Sequence, residues 1–436
     1  MKIAVEGCCH GQLDAIYNRI EELERENGYQ VDLVLICGDF QALRTQADLS
    51  CMSSPKKHHH MGDFSKYYTG ESVAPILTII VGGNHEASNY MWELYHGGFI
   101  APNMYYLGAA GVVQFNGIRI AGLSGIYKSQ DYQIGHYERL PYDQRSIKSV
   151  FHVRQYDVQR VLQLSPVDFC LSHDWPLSIE RHGDYNDLMK RMPRFKPDAE
   201  AGKLGSPPLL EILKKVKPSR WFSGHMHTKF EATFKHEGSA TTTETSSGGT
   251  TVGASSSSSV GGETNPKSIQ PDLVDNEEQS KPVPRSSPSQ QAPSTSQSRP
   301  GASETGFLGL DQCLPKRDYL EIIDFPAPLT NDPPRLTFDA EWLGIVRATH
   351  QYFSRTKTQQ SLPPDNVLRQ RIEENIRWAK ENVGESKDIT EIQAFATTSP
   401  GPDPAFVGDN YPQPISYTNP QTVAFCEMLG IPNNID

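Results

Sequence analysis

The chain has 436 residues, enough for two or three domains, and its 37% hydrophobic and 21% charged residues are typical of a water-soluble protein. No apolar stretch approaches the roughly 18 residues that a bilayer-spanning helix needs, and the N-terminal segment lacks the apolar core of a signal peptide, so we expect neither membrane insertion nor secretion. The formal net charge of −11 disfavours binding of nucleic acid through a broadly basic surface. The seven cysteines are not spaced like a disulfide framework, which favours a reducing compartment.

Residues 1–235 alternate short apolar runs with polar turns that contain glycine. Short, β-branched runs bounded by turns predict buried strands, and they lie at residues 3–5, 33–37, 76–81 and 167–171. A helix is predicted over residues 13–26. This alternation predicts a layered α/β fold, in which the polar groups at the carboxyl ends of neighbouring strands meet along one edge of the sheet.

The composition changes after Phe234. Residues 237–306 contain no aromatic side chain and are rich in Ser, Thr, Gly, Pro and Gln, so we predict a disordered insert there, because such a segment buries too little apolar area to offset the entropy of ordering. Foldable sequence resumes afterwards, with a strand predicted over 318–325 and a helix from Asp365 towards Asn382. The predicted organisation is a catalytic domain at 1–236, the insert at 237–306 and a C-terminal domain at 307–436.

Side chains that can bind metal follow the predicted strands. They are Cys8, His10, Asp39, Asn84, His85, His173, His225 and His227. The carboxylate of Asp39 can bridge two cations, and two divalent ions ~3.5–4 Å apart would hold a bridging hydroxide and clamp a phosphate for in-line attack. His85 is adjacent to a ligand but cannot point with it, which suits it to protonate the leaving oxygen. The alternative, that each histidine is an ordinary hydrogen-bonded group, is disfavoured because five motifs share the same strand-to-loop position.

The order of these motifs resembles that of the calcineurin-like metallophosphoesterase superfamily, whose blocks are D-x-H, G-D, G-N-H-E, H and G-H-x-H. The corresponding blocks here are Cys8-Cys9-His10, Gly38-Asp39, Gly83-Asn84-His85-Glu86, His173 and Gly224-His225-Met226-His227. The resemblance implies a four-layer α-β-β-α sandwich that holds two metals. The first metal would take Cys8, His10, Asp39 and His227. The second would take Asp39, Asn84, His173 and His225. Asp39 would bridge the metals, and His85 would be the general acid.

Cys8 stands where the superfamily usually has aspartate. With this departure and the strings Gly38–Gln41, Ser172–Pro176 and Leu204–Pro207, the chain resembles the lariat debranching family over most of residues 1–235, and again around 313–318 and 341–343. The resemblance implies hydrolysis of the 2′–5′ phosphodiester bond at the branchpoint of excised intron lariat RNA, giving linear RNA. It also implies a nuclear location, with the cytoplasm as the alternative.

The thiol of Cys8 bears on the choice of metal. A thiolate suits zinc or iron better than magnesium or calcium, and the family resemblance implies iron, zinc or manganese. The alternative is that Cys8 stays protonated, which would leave the first metal weakly held or absent.

Residues 124–160 carry no metal ligand and interleave aromatic with basic side chains. Stacking on unpaired bases contributes ~1–3 kcal/mol per base, so this segment could bind RNA locally. The resemblance identifies it as a lariat recognition loop that clamps the branchpoint. The predicted RNA contacts are Tyr67, Tyr68, Tyr127, Lys128, Asp131, Tyr132, Arg154, Gly205 and Ser206. The alternatives are that the loop tyrosines only pack the loop against the rest of the fold, and that Tyr67 and Tyr68 pack internally.

Two other functions stay open on the sequence. One is a metallophosphoesterase that acts on small phosphoesters or cyclic nucleotides, and the other is a non-catalytic RNA-binding scaffold. The tract His58-His59-His60 has no donor partners nearby in the sequence and is interpreted as a solvated loop.

Overall fold

Two β-sheets form the centre of the structure, a computed structural model that describes residues 1–237, 300–326, 334–403 and 411–436. The strands are β1 (Lys2–Glu6), β2 (Leu33–Ile36), β3 (Thr78–Ile80), β4 (Gly98–Ala101), β5 (Met104–Tyr106), β6 (Ala110–Phe115), β7 (Ile118–Leu123), β8 (Phe169–Ser172), β9 (Arg220–Ser223), β10 (Phe230–Lys235), β11 (Glu304–Gly309), β12 (Leu320–Asp324) and β13 (Leu336–Phe338). The first sheet has the order β12-β1-β2-β3-β5-β4, and the second has the order β10-β11-β9-β8-β7-β6-β13.

Both sheets have a parallel centre. In the first sheet β1, β2, β3 and β5 run parallel, and in the second sheet β7, β8, β9 and β11 do so. Strands buried on both faces are apolar throughout, as in β2, where all four residues are buried. The parallel arrangement brings the carboxyl ends of these strands to one edge of each sheet, where polar loops follow them.

Helices cover the outer faces of the sheets. They are α1 (Leu13–Asn27), α2 (Phe64–Tyr68), α3 (Ser88–Glu93), α4 (Ser129–Tyr132), α5 (Ser146–Ser149), α6 (Gln155–Val161), α7 (Tyr185–Arg191), α8 (Lys196–Glu200), α9 (Pro207–Val216), α10 (Ala340–Thr349), α11 (Asp365–Asn382) and α12 (Pro420–Leu429). Short 3₁₀ helices lie at Gln46–Cys51, Lys56–His58, Ile179–His182, Pro193–Phe195, His350–Tyr352 and Ile389–Glu391. None of the described helices is both long and apolar enough to cross a membrane.

The burial pattern confirms the predicted four layers. Along β1, the side chains of Ile3 and Val5 belong to the core between the sheets, whereas Ala4 belongs to the core against α1. Helix α1 buries residues at the i, i+3, i+4, i+7 spacing of an amphipathic helix, and Gly28 ends it in the left-handed conformation at φ 69°. Helices α6, α9 and α10 contribute their buried faces to the core of the second sheet. The order is therefore helix, sheet, sheet, helix.

The predicted elements in the first part of the chain correspond to β1, β2, β3, β8 and α1, and those near the C-terminus correspond to β12 and α11. The boundary of the insert needs a correction. Residues 238–299 lie outside the described residues, but Glu304–Gly306, assigned to the insert, belong to β11. This polar segment forms a strand because its backbone pairs with β10 on one side and β9 on the other.

The separation into an N-terminal and a C-terminal domain also needs a correction. The segment after residue 307 contributes β12 to the first sheet and β13 to the second, and β11 lies inside the second sheet. Within the described ranges, residues 1–237 and the part after 299 therefore form one compact unit. The C-terminal segment completes both sheets, which would otherwise lack these strands.

Candidate metal centre

Five loops at the carboxyl ends of strands bring the predicted ligands together. Cys8 and His10 follow β1, Asp39 follows β2, and Asn84 with His85 follows β3 in the first sheet. His173 follows β8, and His225 with His227 follows β9 in the second sheet. Residues up to 219 positions apart in the chain thus converge, because the parallel strands end side by side.

The first group of donors comprises Cys8, His10, Asp39 and His227, whose ligand atoms all lie within 4.8 Å of one another. The Nε2 atoms of His10 and His227 are 3.4 Å apart, and Nε2 of His10 lies 3.8 Å from Oδ2 of Asp39. Two imidazoles, a thiol and a carboxylate at these distances form a donor set that suits zinc or iron. The residues present therefore fit a divalent cation.

The second group is arranged around His173. Its Nε2 lies 3.3 Å from Oδ1 of Asp39 and 3.2 Å from Oδ1 of Asn84. The ring of His225 stands next to it, with 4.8 Å between the ring centroids. Asp39 thus presents Oδ2 to the first group and Oδ1 to the second, so that its carboxylate can contact a cation on either side.

Four of these residues have a backbone conformation that non-glycine residues rarely adopt. The φ angles of His10, Asp39, His225 and His227 are 47°, 45°, 64° and 50°. Conformations of this kind cost of order 1–3 kcal/mol each and concentrate at functional sites, where the surrounding structure enforces them. A positive φ angle is unfavourable for these residues by themselves. The surrounding structure therefore holds them in the conformation that places their side chains in the site.

Glycines in the motifs allow the ligands to approach each other. A Cβ on Gly38 would lie 2.3 Å from Nδ1 of His173, and one on Gly83 would lie 2.2 Å from Oδ1 of Asp39. Any side chain at these two positions would displace a ligand. The G-D and G-N-H-E blocks thus need glycine for a steric reason.

The electrostatic environment prepares most donors for a cation. Burial alone would raise the pKa of Asp39, but His173 and His10 hold it well below its ordinary value. Burial, reinforced by the charge on His10, lowers the pKa of His227 to about 4, and burial also lowers the pKa of His10 and His225. At neutral pH these imidazoles are therefore uncharged and can offer a lone pair to a metal.

Cys8 behaves in the opposite way. Burial and the charge of Asp39 raise the pKa of its thiol well above the ordinary range, and only the backbone N–H of His225, which donates to Sγ at 2.9 Å, favours the thiolate. Ionisation of Cys8 therefore needs a cation at the site. The alternatives for Cys8, metal-bound thiolate or protonated thiol, both fit this environment.

The structure also shows supporting residues to which the sequence assigned no role. His173 donates from Nδ1 to the carbonyl oxygen of Cys37 at 2.8 Å, which turns Nε2 towards the centre. Glu86 is buried and accepts three backbone N–H groups, from Phe40 and Gly83 at Oε1 and from Gln41 at Oε2, all at 2.8 Å. Glu86 thus joins the loops after β2 and β3. The signal was present in the sequence, since Glu86 ends the G-N-H-E block.

His85 lies beside the donors and not among them. Its backbone N–H donates to Oδ1 of Asp39 at 2.8 Å, and its ring centroid is 5.8 Å from that of His10. Together with His10 and His227 it lines a cavity of about 540 Å³. The ring therefore faces the space that a ligand of the metal centre would enter.

The same cavity extends to the histidine tract. His60 is exposed but lines the cavity at the metal centre, and Nε2 of His59 donates to the carbonyl oxygen of Ser54 at 2.8 Å. His60 therefore belongs to the rim of the site, and its exposure agrees with a solvated loop.

Part of the predicted RNA-binding set lies at the surface. Lys128 is exposed and is close enough to His225 that its charge contributes to the lowered pKa of that histidine. Tyr127 and Tyr132 are half-buried and pack edge to face, with ring centroids 5.4 Å apart. Gly205 is partly exposed at φ 99°. RNA contact by these four residues stays a prediction.

For the other predicted RNA contacts the structure gives a correction. Five of the side chains are buried within the fold, namely Tyr67, Tyr68, Asp131, Arg154 and Ser206. Arg154 pairs with Glu138 through Nη2 and Oε1 at 2.5 Å, and Asp131 accepts from Nδ1 of His152 at 2.8 Å. Burial contradicts RNA contact by these five side chains, and Arg154 and Asp131 instead hold the loop together.

Comparisons with known proteins give concordant results over both parts of the chain. The family described as calcineurin-like phosphoesterase matches residues 1–229, and the family described as lariat debranching enzyme, C-terminal domain, matches residues 302–434. The lariat debranching enzyme of Drosophila melanogaster is 43% identical over 99% of this chain and 78% of its own length. The proteins of the same name from Gallus gallus and Homo sapiens are 40% and 39% identical, over 99% of this chain and 70% and 69% of their own lengths.

Proposed function

The chain belongs to the calcineurin-like phosphoesterase family and, within it, to the lariat debranching enzymes, and we propose its reaction from that membership. It is a metal-dependent phosphodiesterase that hydrolyses the 2′–5′ phosphodiester bond at the branchpoint of excised lariat RNA, giving linear RNA. The observation that carries this conclusion is the match of both family regions to one chain whose C-terminal segment folds into the sheets beside the metal centre.

Divalent metal ions are the cofactor that the family implies, and the donor set supports iron, zinc or manganese as their identity. When bound, such ions stabilise negative charge on the phosphate oxygens and lower the pKa of a water molecule. Cys8, His10, Asp39 and His227 would hold one ion, and Asp39, Asn84, His173 and His225 would hold the other. The softness of the Cys8 sulfur supports zinc or iron at the first position.

We assign the proton transfer to His85. In the reaction the bond between phosphorus and the 2′-oxygen breaks, a water oxygen forms the new bond to phosphorus, and the 2′-oxygen needs a proton. His85 faces the cavity beside the first donor group, and its backbone N–H is fixed by Asp39. This position supports a role as the acid that protonates the departing oxygen, leaving a 2′-hydroxyl on the branchpoint and a 5′-phosphate on the linear RNA.

The surface residues of the recognition loop support RNA binding. Lys128 can pair with a phosphate on the side of the centre where His225 lies, and Tyr127 and Tyr132 offer ring edges and faces to unpaired bases. We also assign the protein to the nucleus, where introns are excised. Imaging of a fluorescently tagged chain tests this assignment, and exclusion of the signal from nuclei would contradict it.

The test of the reaction is a debranching assay with a synthetic branched RNA, run beside linear RNA and a small chromogenic phosphodiester. We expect the protein to cut the branched RNA preferentially, and we expect His85→Ala to lower turnover ~10²–10⁴-fold while bound metal per chain is retained. His182→Ala, at an exposed histidine outside the site, serves as the matched control.

Two outcomes would point to the other functions. Preference for small phosphoesters would indicate a different phosphoesterase, and failure of the metal-loaded protein to cut any phosphoester would indicate a scaffold. A fully active His85→Ala variant would remove His85 from the mechanism and leave the reaction itself in place.

A further inference from the structure

A groove of about 400 Å³ next to the metal centre is lined by three arginines. These are Arg191, Arg194 and Arg317, and His227 and Gln312 line the same groove. We call it the arginine groove. The arginines make the groove positively charged, whereas the chain as a whole has a formal net charge of −11. A local concentration of guanidinium groups on an acidic protein, at the edge of a phosphodiesterase site, indicates a binding site for an anion.

Two of the arginines are fixed to the loop that carries His225 and His227. Nη2 of Arg194 lies 3.4 Å from the carbonyl oxygen of Met226, between the two histidines of the G-H-x-H block. Nη1 of Arg191 donates to Oγ1 of Thr228 at 2.7 Å, directly after His227. The guanidinium groups are thus oriented relative to the metal centre and are not merely dispersed over the surface.

The third arginine comes from the C-terminal segment. Nη1 of Arg317 donates to Oδ2 of Asp311 at 3.2 Å, and the carbonyl oxygen of Asp311 accepts the backbone N–H of Cys8 at 3.2 Å. Gln312 lines both the arginine groove and the 540 Å³ cavity at the metal centre. The two spaces are therefore adjacent, and a chain molecule can extend from one into the other.

The groove retains uncompensated positive charge. Arg191 pairs with Asp187 and Arg317 with Asp311, but in the part of the chain that the structure describes no carboxylate pairs with Arg194. The Arg191 and Arg317 side chains are 42% and 50% exposed, so they keep free N–H donors. Guanidinium groups bind phosphate through paired N–H donors, whereas a neutral ligand would leave the charge of Arg194 unmatched.

We propose that the arginine groove binds a backbone phosphate of one RNA arm adjacent to the branchpoint. This inference rests on the proposed function, because it takes branched RNA as the substrate. A branchpoint ribose carries three arms. The groove borders His227 and shares Gln312 with the cavity at the metal centre, so the arm that it holds leaves the centre on the His227 side. Gln312 and Arg317 give the C-terminal segment a direct part in substrate binding.

The test combines arginine substitution with shortening of the RNA arms. The double variant R194Q/R317Q should raise KM for a branched RNA about tenfold, the effect of removing two exposed, charge-assisted hydrogen bonds to phosphate. The slope of log KM against log salt concentration should fall by ~0.7 for each phosphate that the variant no longer neutralises. R377Q, at an exposed arginine of α11, is the matched control and should keep the KM of the unaltered protein.

Shortening the 5′ arm or the 3′ arm to the branchpoint nucleotide, or the 2′ arm to its first nucleotide so that the 2′–5′ bond is kept, identifies the bound phosphate. For the unaltered protein, shortening of one arm should raise KM by the same factor as the double variant does, and for the double variant shortening of that arm should change nothing further. The inference is overturned if every truncation adds fully to the effect of the substitutions, or if KM and the salt slope of the double variant match those of the unaltered protein. Failure of the unaltered protein to cut any branched RNA would instead overturn the proposed function. Bound metal and thermal unfolding of R194Q/R317Q separate a loss of binding from a loss of fold.

Discussion

Glu86 offers the sharpest test of how the metal centre is held together. Its two carboxylate oxygens accept N–H groups from both the loop after β2, which carries Asp39, and the loop after β3, which carries Asn84 and His85. Glu86→Gln keeps the size of the side chain but replaces one oxygen by an NH₂ group. That group would face at least one backbone N–H, so that two donors oppose each other in a buried position.

The size of the destabilisation expected for Glu86→Gln follows from these hydrogen bonds. A hydrogen bond to a charged group contributes about 1.5–3 kcal/mol, and a buried donor left without a partner adds a penalty of about 1–3 kcal/mol. Part of this loss is offset, because burial and the charge of Asp39 raise the pKa of Glu86 and make its ionised form unfavourable. We expect a net destabilisation of about 1–3 kcal/mol and, since the two loops shift, a loss of metal affinity of about 10–100-fold.

Urea unfolding of the metal-stripped protein measures the destabilisation. Metal titration against a competing chelator measures the loss of metal affinity. Glu180→Gln is the matched control, since Glu180 is a buried carboxylate on the 3₁₀ helix Ile179–His182 and accepts none of the N–H groups of the metal loops. If Glu86→Gln had the unfolding free energy and the metal affinity of the unaltered protein, the idea that this carboxylate orders the centre would be wrong.

Two further predictions follow from the same structure. Cys8→Ser should reduce bound metal from two ions to about one per chain, as measured by elemental analysis, and unchanged stoichiometry would mean that the thiol is not a ligand. Burial, with the nearby charges of Arg160 and His350, lowers the pKa of His96 well below its ordinary value, and its ring stacks on Phe425 at 5.2 Å between centroids. The folded protein therefore keeps His96 neutral while the unfolded chain takes up a proton, so stability is lost as pH falls below about 6.5, by about 1.4 kcal/mol at pH 5.5. His96→Gln should flatten the dependence of the unfolding free energy on pH between 7.5 and 5.5, and an equal slope in both proteins would contradict this.

The convergence of the candidate metal ligands could be predicted from the sequence because each motif contains its own structural context. Leu33–Ile36 is a short apolar strand, the glycine after it admits the neighbouring histidine, and Asp39 follows at once. The parallel fold then brings such motifs together without further information. The role of Glu86 is different, since its partners at Phe40 and Gln41 are 46 and 45 positions away and are defined only by the fold.

Candidate RNA contacts were harder to predict, because aromatic and basic residues occur both at protein surfaces and in protein interiors. Arg154 and Lys128 look alike in the sequence of the recognition loop, yet Arg154 is buried against Glu138 and Lys128 is exposed. The position of β11 in the second sheet could not be predicted from the sequence either. It lies between β9 and β10, which are close in sequence, although the chain reaches it only after residue 300. Insertion of a distant strand between two near neighbours leaves no local pattern.

The C-terminal segment holds the backbone of Cys8 on both sides, and this explains how the strained ligand loops are maintained. The N–H of Cys8 donates to the carbonyl oxygen of Asp311 at 3.2 Å, and the carbonyl oxygen of Cys8 accepts the N–H of Cys313 at 3.0 Å. The N–H of Gly7 donates to the carbonyl oxygen of Tyr319 at 3.0 Å, and a Cβ on Gly7 would lie 2.1 Å from the carbonyl oxygen of Asp311. Three such bonds contribute about 0.5–1.5 kcal/mol each, which is comparable to the cost of about 1–3 kcal/mol for the left-handed backbone of His10. Without the segment after residue 302, the loop that carries Cys8 and His10 would lose these bonds while the strain at His10 stayed. The two regions that match separate families therefore form one structural unit, because the second region holds the loop of the candidate ligands Cys8 and His10 in position.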